Sequence, residues 1–69
     1  MKYAIVYEKS STGYGAYVPD LPGLGVTGRT MQLTKSRVAK AIKMYIADLR
    51  EDGKPIPEPT TEVDYAEVS

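Results

Sequence analysis

Glu8, Asp48, Glu51 and Asp64 are the side chains whose type best suits catalysis, because carboxylates converging from neighbouring elements can hold two metal ions for phosphoryl chemistry. Their positions do not favour it. Ala4-Ile5-Val6, the centre of the first alternating run, carries no carboxylate, and Glu8 sits at the end of that run. The four read as solvated surface acids. The chain also has no histidine, cysteine or tryptophan, which removes the commonest general base and the usual zinc ligands. We therefore expect no enzyme, no cofactor and no metal.

A second set of charged residues suits binding. Arg29, Lys35, Arg37, Lys40 and Lys43 form a basic cluster, and Glu58, Glu62, Asp64 and Glu67 form an acidic tail. The zero net charge hides this polarity. Residues 1–47 hold seven cations against two acids, a charge of +5, and residues 48–69 hold two cations against seven acids, a charge of −5. Polarity of this kind suits a partner or a second copy; the alternative is ordinary solvated surface.

The elements that must position these groups follow from periodicity. Lys2–Lys9 alternates, with Tyr3, Ile5 and Tyr7 on one face and Ala4, Val6 and Glu8 on the other, as in a strand. Ser10-Ser11-Thr12-Gly13 is a turn and Tyr14–Val18 a second strand, so the two form a hairpin. Pro19-Asp20-Leu21-Pro22-Gly23 is a rigid corner, since each proline fixes its own φ and holds the preceding residue extended. Leu24–Thr27 is a short third strand.

Thr30 is a candidate N-cap. Thr34, Val38, Ala41, Ile42, Tyr45, Ile46 and Leu49 then fall on one face of a helix over about 31–52. Gly53 stops it. Residues 53–60 form a proline-rich connector, and 61–68, with Val63 and Tyr65 alternating with acids, form a weaker edge strand. Basic residues crowd the helix start and acids its end, against the macrodipole, so packing must hold this helix. Leu33 and Met44 lie off its core stripe and point the same way, as candidates for an interface.

The order β-β-β-α-β defines an α+β, two-layer fold of one domain, residues 1–69. A right-handed crossover through the helix brings the last strand in beside the first, giving sheet order 3-2-1-4 with one long helix on one face. The other face stays open, and the pattern does not decide which residue set lies there. A domain this small buries only about 60% of its unfolded surface, which favours oligomerisation. No apolar run is long enough to span a membrane, and the N-terminus enters a strand directly, so a cytoplasmic protein is expected.

These pieces resemble the HicB family of antitoxins. The matching residues are Tyr17-Val18-Pro19-Asp20-Leu21-Pro22-Gly23, Gly28 and Thr30 at the helix start, Ala41-Ile42 within it, and Gly53-Lys54-Pro55-Ile56-Pro57-Glu58-Pro59 after it. The resemblance implies a truncated ribonuclease-H-like fold and a partner, the small basic toxin HicA, which cleaves messenger RNA. Arg29 and Gln32-Leu33-Thr34 stand where the family is usually acidic, and the chain is expected to be a short form without the C-terminal DNA-binding domain.

On this reading the toxin-contact residues are Pro19, Asp20, Leu21, Pro22, Glu58, Glu62, Asp64 and Glu67. The acidic tail would mimic nucleic acid or add to a partner's sheet, or it is an ordinary edge strand with gatekeeping charges. Arg29, Leu33, Arg37, Lys40, Lys43 and Met44 are an alternative oligomer or nucleic-acid face. The six tyrosines read as core and interface residues more readily than as base-stacking platforms, since no arginine precedes Arg29. A homo-oligomer, dimer or tetramer, is expected.

Overall fold

The computed structural model describes residues 1–69. Three strands, β1 (Val6–Ser10), β2 (Gly13–Tyr17) and β3 (Gly25–Gly28), form an antiparallel sheet in the order β1-β2-β3, and one helix, α1 (Met31–Glu51), packs on it.

The hairpin turns at Ser11-Thr12, where the Ser10 hydroxyl donates to the Gly13 carbonyl at 3.3 Å. The register sets Val6 against Tyr17 and Tyr17 against Gly25. β1 begins at Val6, later than the alternation from Lys2 suggested. Its partner β2 ends at Tyr17, where the chain turns into Pro19, so residues 2–5 have no ladder to join. Gly13 is required by proximity, because a Cβ there would overlap the Gly28 carbonyl oxygen and lie 3.0 Å from Arg29 Cα.

The register also decides which face is covered. Tyr7, Ala16 and Val26 stand opposite one another, and Ala16 belongs to the buried core with Val18, Leu21, Leu24 and Val38. Tyr3, Ile5 and Tyr7 pack against that core, as do Ala41, Ile42, Tyr45 and Ile46 of α1. The opposite face holds Val6, Tyr17 and Gly25 and the row Glu8, Gly15 and Thr27, where a shallow depression of about 440 Å³ lies open. The helix crosses β2 and β3 only, so β1 overhangs it.

Both ends of α1 are closed by local chemistry. The Thr30 hydroxyl accepts from Leu33 N–H at 3.1 Å, and the buried Thr34 hydroxyl donates to the Thr30 carbonyl at 2.8 Å. At the other end Gly53 N–H donates to Arg50 O at 3.1 Å and Lys54 N–H to Leu49 O at 2.9 Å. These two bonds make a Schellman cap with Gly53 at φ 65°. Helix and β3 approach closely at Gly28, where a Cβ would stand 2.6 Å from Thr34 Oγ1 and 3.0 Å from Thr34 N.

One expectation is corrected. Residues 61–68 form no strand, so the sheet has three strands and the order 3-2-1-4 is not completed within the chain. Pro55, Pro57 and Pro59 cannot donate to a ladder. The Thr61 N–H that would open the strand is instead given to the Asp20 carboxylate at 3.1 Å. Asp20 lies past the end of β2, whereas the edge that the last strand was expected to join belongs to β1.

The glycines separate by their surroundings, and this is measurable. Gly28→Ala should destabilise by about 1–3 kcal/mol through overlap with Thr34. Gly15→Ala, whose Cβ would meet only Val26 O at 3.7 Å, should change stability by less than about 0.5 kcal/mol. Urea unfolding followed by circular dichroism checks both; equal losses would contradict the steric account.

Candidate protein-binding surface

The Pro19–Gly23 corner is two hydrogen-bonded turns in succession. Leu21 N–H donates to Val18 O at 3.0 Å, and Leu24 N–H to Leu21 O at 3.2 Å. Pro19 and Pro22 each take the second position of a turn, where φ near −65° is needed. Gly23, at φ 84°, takes the third position of the second turn, which makes it type II. The effect is to drive Leu21 to 0% exposure while Pro19 and Pro22 remain on the surface. Tyr45, from the apolar stripe of α1, donates its hydroxyl to the Pro22 carbonyl at 2.9 Å and ties the corner to the helix.

Asp20 is engaged within the chain. Its carboxylate accepts from Thr61 N–H at 3.1 Å, from the Thr61 hydroxyl at 2.9 Å and from the Thr60 hydroxyl at 3.1 Å. These donors hold its pKa below the ordinary carboxylate value of 3.8. The Thr61 backbone N–H is the largest cause, opposed by partial desolvation and reinforced by the two hydroxyls. The connector is fastened a second time where the Tyr3 hydroxyl donates to the Pro57 carbonyl at 2.6 Å. In the sequence, the only signal of the Thr60-Thr61 partnership with Asp20 is two adjacent hydroxyl donors after the proline run.

Beyond Thr61 the chain leaves the body. Glu58, Glu62, Asp64 and Glu67 are all exposed, and with them Val63, Tyr65 and Val68. Of the expected contact residues, Pro19, Pro22 and the four acids therefore present side chains outward, Asp20 serves as a clasp, and Leu21 shapes the corner from inside.

The basic residues lie elsewhere. Arg29, Lys35, Arg37, Lys40 and Lys43 are exposed, and Arg37 donates to the Thr27 carbonyl at 2.7 Å, bracing α1 against β3. Arg29, Arg37 and Lys9 border an open depression of about 410 Å³ beside the hairpin turn. Leu33 and Met44 are exposed on α1, as expected. No three His, Cys, Asp or Glu side chains come together in a group able to hold a metal ion. No helix is long and apolar enough to cross a membrane.

A small α+β module, three strands under one helix with a proline corner and an acidic tail, is thus the class of protein defined. The chain belongs to the HicB-like antitoxins: the model of the family described as "HicB_like antitoxin of bacterial toxin-antitoxin system" matches residues 3–68. It is 33% identical over 63 residues to a UPF0150 protein of Thermoplasma acidophilum, covering 90% of this chain and 91% of that one. It is 39% identical over 57 residues to a UPF0150 protein of Archaeoglobus fulgidus, covering 78% and 83% respectively. An uncharacterized 14.9 kDa protein of Haemophilus phage HP1 is 34% identical over 58 residues, which are 84% of this chain and 44% of the phage protein. No solved structure matches the chain.

The clasp has a pH signature. Because the folded pKa of Asp20 is lowered, its contribution to holding Thr61 is complete above the unfolded value and is lost as pH falls through the folded value. The Thr61 amide resonance should hold steady near neutrality and move only as the pH falls below the ordinary carboxylate value of 3.8. In Asp20→Ala it should sit at its released position at every pH. A Thr61 amide that is insensitive to both changes would show that the clasp does not form in solution.

Proposed function

We propose that this protein neutralises a small, basic, HicA-type toxin that cleaves messenger RNA, by covering the toxin's active surface. The observation that carries this reading is the membership of residues 3–68 in an antitoxin family. The exposed acids support it: Glu58 on the fastened connector and Glu62, Asp64 and Glu67 beyond Thr61 are all exposed, as are Pro19 and Pro22. A basic toxin groove built for phosphates would meet in this tail several carboxylates, of which Glu62 and Asp64 stand two residues apart on one side of an extended chain. Opposite charge raises association rate more than it raises final affinity. The corner supplies a rigid element whose geometry is set before binding, so little ordering entropy is lost there. The toxin supplies the chemistry, and this chain blocks it in the cytoplasm without catalysis of its own.

A second reading, nucleic-acid contact through Arg29, Lys35, Arg37, Lys40 and Lys43, draws on the exposure of all five. It places the binding surface on the helix in place of the tail, so one set of variants separates the two.

Purified protein added to a HicA-type toxin should abolish cleavage of an RNA substrate at equimolar ratio. Glu62→Lys with Asp64→Lys should slow association by about tenfold or more at low salt, with a smaller difference at high salt. Lys40→Glu with Lys43→Glu should leave toxin binding unchanged. Failure to inhibit, together with a salt-dependent gel shift of nucleic acid that the Lys40 and Lys43 reversals remove, would establish the second reading.

A further inference from the structure

The outer edge of β1 is unpaired in this fold. The residues leading into it and opening it, Tyr3-Ala4-Ile5-Val6-Tyr7, include no charge and no proline, the two devices that ordinarily protect a strand edge; Glu8 and Lys9 charge only its far half. Beside that edge, where β1 overhangs the helix, lies a groove of about 440 Å³ lined by Met1, Tyr3, Ile42 and Ile46, with Lys43 and Arg50 also on its wall. The acidic tail meanwhile exposes Val63 at 58%, Tyr65 at 92% and Val68 at 88%. It has a strand's alternation, Val63, Tyr65 and Glu67 against Glu62, Asp64 and Ala66, and no strand to pair with.

We propose that residues 62–68 of one copy add as an edge strand to β1 of a second copy, seating Val63 and Tyr65 in the groove between Tyr3 and α1, and that the exchange is reciprocal. The fourth strand of each sheet is then supplied in trans.

Three observations select a second copy as the occupant. The Asp20 clasp fastens Thr61 beyond the end of β2, the central strand, while the Tyr3 hydroxyl is fastened to Pro57. The root of the tail is therefore held at Asp20, and the residues beyond it form no ladder with their own β1. The tail projects instead, and the molecule is 47 Å long against 27 and 16 Å in its other dimensions, although α1 accounts for only roughly 30 Å.

Charge supplies the second argument. Glu67 lies on the same side of the tail as Val63 and Tyr65, and the groove offers Lys43 and Arg50 to receive it. The +5 of residues 1–47 and the −5 of residues 48–69 make the two copies complementary at longer range.

Area supplies the third. One strand edge is too narrow for the about 800 Å² per partner that stable interfaces bury. A reciprocal exchange gives each copy both a donated tail and an occupied groove, under the two-fold symmetry that most homodimers adopt. Glu62 and Asp64 would remain on the other side of the added strand, so the exchange leaves them free for another partner.

The chain has no native cysteine, which makes the test clean. Ala47 lines the groove and Tyr65 is nearly fully exposed, so A47C and Y65C are each made singly and combined. Mixed single variants under mild oxidation should give a covalent species of twice the 7.6 kDa chain mass, with the 47–65 disulfide identified by peptide mass spectrometry. An intramolecular 47–65 bond in monomers of the double variant, or 65–65 bonds alone, would overturn the proposal. By light scattering the unmodified protein should be dimeric at micromolar concentration. V63D/Y65D should be monomeric with unchanged helical circular dichroism; a monomeric wild type or a dimeric variant would refute the exchange. The result is independent of toxin binding, since no toxin is present.

Discussion

Leu21 is placed in the core by a backbone with little choice of path. Pro19 and Pro22 set φ at two points three residues apart, and Gly23 takes the left-handed position that completes the second turn. The corner therefore delivers one apolar side chain inward, to full burial, and turns its carboxylate toward the connector. The helix is tied to it by the Tyr45 hydroxyl on the Pro22 carbonyl and by packing of the apolar stripe of α1 on the same core. The connector is tied to it through Asp20. Strand, helix and tail all take their relative positions from these five residues, so the corner matters to the molecule first as a junction. Its outer prolines stay exposed, and the junction holds them rigid.

The helix and hairpin were legible because their signals are local. Thr30 caps as its type and position suggest, Gly53 ends the helix, and Gly13 opens β2 beside a two-residue turn. Two features were not legible for the same physical reason. Which strand face is covered depends on where the helix lies, and alternation fixes only the parity: Tyr3, Ile5 and Tyr7 go inward because Tyr7 stands opposite Ala16 in the core. The tail alternates as a strand does, yet strand formation is a property of two segments, and Val63 and Tyr65 find no neighbour within the chain. Asp20 illustrates a third kind of failure. Its donors lie 40 and 41 residues away, and a carboxylate between prolines reads as surface until those hydroxyls are placed beside it.

The charge polarity is best understood from where the structure puts each half. A helix with no acid in its first turn and several acids near its end gains nothing from its dipole. The N-cap, the Schellman cap and the Arg37 bond to Thr27 hold it instead. Its cations are thus free of a helix-stabilising duty, as are the acids of a tail that packs on nothing beyond Thr61. Lys43 and Arg50 flank an apolar groove, whereas Arg29 and Arg37 lie by the hairpin turn at the other end of the sheet. The basic half therefore divides into two surfaces with different neighbours. One adjoins apolar side chains and suits a protein segment that brings its own acids. The other is nearly free of apolar lining and suits a hydrated, charged contact. The acidic tail, with Val63, Tyr65 and Glu67 on one side and Glu62 and Asp64 on the other, has the composition of the first kind of ligand. Its two sides differ in chemistry, so each suits a different surface.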